Sequence, residues 1–199
     1  MYIGGNKLKK FLRNKFLKLR TNMDKNEKRI KDEKIIEYIL NNDLYKNAKN
    51  IFVFVSMDYE INTHELIKKA ILDKKNVYIP YIKDKYDKMH ISPLKDFDND
   101  LEKGYFDVLS VKKELLCFKD KNILDLVITP ALAFNKNGFR IGYGGGYYDI
   151  FFEDLKDNIK KLGICYDFQI IDENFEDSFD ISVDYLITES GFKEKPFMI

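Results

Sequence analysis

The sequence predicts an α/β fold: a single domain with a mostly parallel sheet flanked by helices in a three-layer-like arrangement. Three observations carry this. Apolar, β-branched runs recur at 51–57, 77–80 and 124–130, as in strands buried on both faces. Stretches with apolar residues three and four apart lie between them, as in helices that cover a sheet. A glycine-rich segment then joins one buried run to a following helix, which is where open α/β sheets bind ligands. A chain of 199 residues suits one such domain, spanning 1–199 with 1–6 and 192–199 frayed.

Taken in order, residues 6–21 form an amphipathic helix with Leu8, Phe11, Leu12, Phe16 and Leu19 on one face. Residues 24–41 form a second helix, with Asp24 as N-cap, Glu27 three residues on, and Ile30, Ile36, Ile39 and Leu40 as its apolar face. The strand at 51–57 leads through a loop at 58–61 to Asn62, which caps a helix ending near residue 73, with Glu65 in its first turn. A second strand covers 77–80 and ends at its proline, and a short third covers 89–94. Residues 95–122 are polar and without pattern. After the strand at 124–130 come a glycine-rich loop over 138–146 and a helix over 147–160, with Tyr148, Phe151, Phe152, Leu155 and Ile159 among its apolar positions. Strands at 162–166 and 185–188 complete the set, and the tail after Gly191 frays.

Composition removes several functions. The net charge is +1, from 34 basic and 33 acidic side chains, so no global field draws the protein to nucleic acid or to an anionic membrane. The tyrosines and phenylalanines lack the basic interleaving of a base-stacking platform. No apolar run is long enough for a membrane-spanning helix, and the opening residues lack the apolar core of a secretory leader. Cys117 and Cys165 stand 48 positions apart outside any C-x-x-C, which suits two reduced thiols in a soluble, cytoplasmic protein. The charge is uneven, however. Residues 1–31 carry eleven basic and two acidic side chains, a net of +9, leaving −8 for the rest. Lysine dominance and the absence of serine disfavour a transit peptide. Two readings of the run stay open: a solvated helix face, or a basic wall facing a polyanionic small ligand.

The chemistry concentrates at 138–149. Five of the ten glycines, Gly138, Gly142, Gly144, Gly145 and Gly146, fall within nine residues. Glycines let a backbone approach a ligand and turn successive N–H groups toward an anion. Arg140, one of four arginines in a lysine-rich chain, adds a fork suited to phosphate oxygens. The known phosphate fingerprints do not fit. Tyr147 stands where a dinucleotide motif needs glycine, and Tyr147 and Tyr148 stand where a Walker A loop needs Lys and Ser or Thr. Asp149, in the first turn of the following helix, suits Mg²⁺ on nucleotide phosphates, with Asp184 as a second carboxylate. His64 and His90, the only two histidines, read as structural.

The block from Asp125 to Asn135, followed by Gly138-x-Arg140-x-Gly142-x-Gly144-x-Gly146-Tyr-Tyr-Asp149, resembles the 5-formyltetrahydrofolate cyclo-ligases (methenyltetrahydrofolate synthetases). Lys9-x-x-x-Arg13, Phe54-Val-Ser-Met-x-x-Glu60-Ile-x-Thr63 and Val183-Asp184-Tyr-Leu-Ile-Thr188 agree in order and spacing, so the likeness runs from about residue 7 to 190. One departure is Gly104-Tyr-Phe-Asp-Val-Leu109, where many members carry a Gly-x-x-Glu-Pro turn.

The resemblance implies an ATP- and Mg²⁺-dependent cyclisation of 5-formyltetrahydrofolate to 5,10-methenyltetrahydrofolate, by a monomer with no nucleic-acid or membrane partner. It implies catalytic roles for Arg140 and Tyr147. It places ATP against Lys9, Arg13, Arg140, Ile141, Gly142, Tyr143, Gly144, Gly145, Gly146, Tyr147 and Tyr148. It places the folate against Arg13, Val55, Glu60 and Tyr143 to Tyr147, with Glu60 accepting from the amino-pyrimidine edge of the pterin, and the metal at Asp149 and Asp184. The basic first helix also suits an anionic glutamyl tail. Competing expectations are a non-catalytic nucleotide- or folate-binding homologue on the same fold, and a sugar-phosphate isomerase that needs no ATP.

Overall fold

The structure, a computed structural model, describes residues 5–198. The chain runs α1 (Gly5–Thr21), α2 (Lys25–Asn41), α3 (Asp43–Asn47), β1 (Asn50–Val53), α4 (His64–Leu72), β2 (Asn76–Tyr81) and β3 (His90–Leu94). A hairpin, β4 (Leu101–Lys103) and β5 (Leu109–Val111), and single 3-10 turns occupy the unpatterned region. Then follow β6 (Leu126–Pro130), β7 (Ala133–Asn135), β8 (Arg140–Ile141), α5 (Tyr147–Glu153), β9 (Lys160–Ile164), β10 (Ile170–Ile171), β11 (Tyr185–Thr188) and β12 (Gly191–Lys193). Among the described residues no helix is long and apolar enough to cross a membrane.

Seven strands form the main sheet in the order β12-β11-β9-β6-β1-β2-β3. The inner ladders, β11–β9, β9–β6, β6–β1 and β1–β2, are parallel, and both outermost strands pair antiparallel. Alternation along β1 explains the layering. Ile51 and Val53 join a core with Ile35 and Ile39 of α2 and Leu66 and Ile67 of α4. Phe52, between them, points the other way, and its ring lies 5.1 Å from that of Phe151 on α5. A small second sheet, β10-β7-β8, receives α1, whose Leu12 and Phe16 pack with Leu132, Ala133 and Ile141.

Several sequence expectations are corrected. β1 stops at Val53 because Phe54 and Val55, though buried, leave the sheet at its C-terminal edge. Asn62 does accept from the His64 N–H at 3.0 Å, but α4 starts one residue later than its cap would place it, with Thr63 turning its hydroxyl to the Phe54 carbonyl at 2.7 Å. Pro80 does not end β2. It pairs with Ile91 of β3 beyond the last β1 partner, where a sheet tolerates a residue with no N–H. α5 has only seven residues and stops at Glu153, and Ile159 fills the core from the turn before β9 instead. β9 itself lies two residues earlier than expected. The glycine-rich segment is not one loop. Gly138, at φ +85, forms the tight turn of the β7–β8 hairpin, so Arg140 stands on a strand. The tail expected to fray over 192–199 is held over 192–197: β12 pairs with β11, and Phe197 is buried in the core. Of the 1–6 segment expected to fray, residues 5 and 6 already belong to α1, and residues 1–4, like residue 199, lie outside the described residues.

Candidate active site

At the C-terminal ends of β1 and β6 the chain opens into a cleft of about 630 Å³. Strand ends and loops supply its floor: Phe54 and Val55 after β1, Pro130 and Ala131 at the end of β6. The glycine loop 142–146 forms one rim, and α1 forms a wall because its packing on β7 and β8 turns Lys9 and Arg13, one helical turn apart, toward the cleft. Lys9, Arg13, Val55, Glu60, Arg140, Ile141, Gly142, Tyr143, Gly144, Gly145, Gly146, Tyr147, Tyr148 and Asp149 all line this cleft. Asp184 does not. It sits at the start of β11, accepting from the Lys161 N–H at 2.8 Å and facing the Lys161 ammonium at 3.2 Å, at the opposite end of the parallel strands. Contrary to the sequence expectation, the fold does not bring Asp184 to Asp149 as a second metal carboxylate.

Each charged group has a definite partner. Lys9 Nζ lies 2.7 Å from Asp177 Oδ2 and 2.6 Å from Asp180 Oδ2. Burial acts to lower the Lys9 pKa, but bonds and charge from these two carboxylates outweigh it and hold the ammonium above its ordinary value. Arg13 Nε donates to the Gly142 carbonyl at 2.9 Å, and its guanidinium lies across Gly144, where a Cβ would come within 3.5 Å of it. Gly144, at φ +105, therefore holds the left-handed backbone that brings the loop under the cation.

Arg140 does not present a free fork. Its two terminal nitrogens donate to the Ile181 carbonyl and to Asp149 Oδ1, each at 2.7 Å, with the rings of Tyr148 and Phe152 beneath the guanidinium. Burial pushes its pKa down, against the pull of Asp149. Asp149 Oδ1 also accepts from the Ile181 N–H at 3.1 Å. Its second oxygen has no hydrogen bond among the described residues, and the side chain is 23% exposed. One such carboxylate suits Mg²⁺, which takes one or two carboxylates and completes its shell with phosphate oxygens and water. No group of three or more His, Cys, Asp or Glu among the described residues could cage a metal alone.

Glu60, on the loop after β1, is buried at 3% exposure. Oε2 accepts from the Met57 N–H at 2.9 Å and Oε1 from the Tyr143 hydroxyl at 2.9 Å. The Tyr143 hydroxyl is held well above its ordinary pKa by burial, and by the Glu60 charge beside it. His64 and His90 lie outside the cleft, against Phe97 and Phe118.

Sequence reasoning missed Asp177, Phe179 and Asp180, which sit in an irregular segment that no periodicity marks. It also missed Arg20, read only as part of the charged run yet 5% exposed. A signal for Arg20 existed: it is an arginine, seven residues after Arg13, on the same helix face.

The sequence model of the 5-formyltetrahydrofolate cyclo-ligase family matches residues 6–189. A 5-formyltetrahydrofolate cyclo-ligase of Haemophilus influenzae is 27% identical over 172 residues, 85% of this chain and 91% of that one. A mitochondrial one of Arabidopsis thaliana is 29% identical over 209 residues, 93% of this chain and 75% of that one. Among solved structures, the NMR structure of Aquifex aeolicus 5,10-methenyltetrahydrofolate synthetase superposes with a TM-score of 0.82 at 26% identity, covering 94% of this chain and 92% of that one. The fold, the glycine-rich cleft and a match over nearly the whole length agree: the chain belongs to the 5-formyltetrahydrofolate cyclo-ligase family.

Proposed function

We propose that the protein is an ATP-dependent ligase that converts 5-formyltetrahydrofolate and ATP to 5,10-methenyltetrahydrofolate, ADP and phosphate, acting as a cytoplasmic monomer. The observation that carries this reading is that one cleft joins two kinds of wall. Lys9, Arg13, the glycine loop and Asp149 suit phosphates, and the buried Glu60 carboxylate suits a flat ring edge with two N–H donors.

The chemistry explains the residue types. A formamide oxygen leaves poorly. Transfer of the γ-phosphoryl group to it releases ADP and gives an iminium phosphate; N10 of the folate then attacks the formyl carbon and gives up its proton, and the carbon–oxygen bond breaks to release phosphate, which can carry that proton away. Such transfer needs positioning and charge neutralisation more than a protein nucleophile. Lys9 and Arg13 supply the cations, and the backbone of Gly142 to Gly146 approaches the phosphates. Tyr143 to Tyr147 close over the formyl group, and Val55 lines the pterin slot. Asp149 would hold Mg²⁺, whose charge would offset that of the phosphates. Arg140 works by fixing Asp149 and the Ile181 backbone, and so acts on the metal side of the cleft.

The test is to mix the protein with Mg·ATP and 5-formyltetrahydrofolate and follow the near-ultraviolet band of the methenyl product. A band that requires ATP supports the reading. Binding of both compounds with no band leaves a non-catalytic binding protein, and a band without ATP overturns the phosphoryl step.

A further inference from the structure

Arg20 lies in the last turn of α1 with its guanidinium buried beneath the floor of the cleft. One terminal nitrogen donates to the Ala131 carbonyl at 3.0 Å, just past the end of β6. The other donates to the Tyr143 hydroxyl at 2.5 Å and stands 3.8 Å from Glu60 Oε1. The Tyr143 hydroxyl in turn donates to that same oxygen. The rings of Tyr59 and Tyr143 lie 5.4 and 5.9 Å from the guanidinium and close the group from water. Arg20 is therefore tied to the sheet at one end and to Glu60 at the other, directly by charge and indirectly through Tyr143.

We propose that Arg20 is a positioning residue for folate: directly and through Tyr143, it holds the Glu60 carboxylate in place and aimed at the pterin slot without touching the substrate. The inference rests on the reading of Glu60 as the pterin's acceptor. Without the guanidinium, Glu60 Oε1 loses the cation beside it and the Tyr143 hydroxyl loses the donor that fixes it, so the carboxylate is no longer held in one orientation. The glycine loop has its own anchor in the Arg13 bond to Gly142, so loss of Arg20 bears on the folate side and spares the nucleotide side. Neither a long helix nor a charged run requires an arginine to be buried here, and a buried arginine that bonds a strand-end carbonyl and faces a buried glutamate has a structural job to do.

The experiment measures equilibrium binding of 5-formyltetrahydrofolate and of Mg·ATP, separately, for Arg20→Gln, Arg20→Lys, Glu60→Gln and the Arg20→Gln/Glu60→Gln double variant, with melting curves for each. The expected result is that Arg20→Gln weakens folate binding at least tenfold and ATP binding less than twofold. Arg20→Lys, which keeps the charge but cannot make both bonds, recovers part of the loss. In the Glu60→Gln background, Arg20→Gln adds less than twofold. If Glu60→Gln leaves folate affinity intact, the Glu60 reading itself fails. If Glu60→Gln weakens folate and Arg20→Gln does not, the positioning role fails alone. Should Arg20→Gln not fold, Arg20→Lys decides: native folate affinity, or equal weakening toward folate and ATP, overturns the proposal.

Discussion

Replacing Arg140 by Ala removes more than a positive charge. The wild-type side chain is 3% exposed and makes two hydrogen bonds of 2.7 Å, one to the Asp149 carboxylate and one to the Ile181 carbonyl. The variant leaves a half-buried carboxylate without its cation, a buried carbonyl without a donor, and a void against Phe152. Breaking a buried pair by removing one partner costs about 3–5 kcal/mol. The partial exposure of Asp149 places this case at the lower end, about 3 kcal/mol, because water solvates part of the stranded charge. In a chain of this size that corresponds to a fall in melting temperature of roughly 6–12 °C, leaving the protein folded at 25 °C. Turnover is expected to vanish, because Asp149 and residue 181 lose their common anchor. Arg140→Lys keeps the charge but reaches only one of the two acceptors, so it recovers stability more than turnover. The assay pairs urea denaturation with the methenyl absorbance trace. An Ala variant that melts with the wild type and turns over normally would refute both the pairing argument and the role of Arg140.

Gly163→Ala on β9 puts a methyl 2.5 Å from Leu186 Cδ2 and 2.6 Å from Phe134 Cζ, so overpacking lowers the midpoint of urea unfolding by the equivalent of about 1–3 kcal/mol; an unchanged midpoint counts against the packing described. Cys117 is exposed, whereas burial holds the Cys165 thiol well above its ordinary pKa, so a thiol reagent titrates one cysteine in the native protein and two in denaturant, and two fast native thiols contradict the fold. Bonds from Lys69 and Tyr45 hold the Asp73 carboxyl below its ordinary value. Its contribution is therefore complete above the unfolded value and fades as pH falls through the lower folded one. Asp73→Asn is accordingly less stable than wild type at pH 7, the gap closes in acid, and a gap that widens in acid reverses the assigned sign.

What the sequence revealed follows from local rules. The cap at Asp24 is legible because one side chain satisfies N–H groups two and three residues on, at 3.0 Å each. The buried strands are legible because burial on both faces admits only apolar residues. The extent of α5 is not, because Leu155 and Ile159 keep a helical spacing while serving the core from a turn. Phe197 was illegible for a related reason: a short apolar stretch after Pro196 carries no period, yet the Phe197 ring fills a gap beside the β7–β8 turn. Within the site, the glycine block could be placed by pattern and Glu60 only by the family resemblance, whereas the pairing of Lys9 with Asp177 and Asp180 spans about 170 positions and depends on the completed topology. Asp184 shows the opposite failure. A carboxylate entering a strand resembles a ligand in sequence, but the direction of a parallel strand decides which end of the sheet it reaches.

The placement of α1 has a consequence for biosynthesis. Leu12 and Phe16 emerge early from the ribosome, yet their partners Leu132, Ala133, Ile141 and Phe175 follow more than a hundred residues later. Such long-range closure slows folding and keeps a greasy, positively charged stripe uncovered while the rest is still being translated. The α1 wall of the cleft is therefore seated late, and a chain halted before residue 132 lacks the surface on which Leu12 and Phe16 dock.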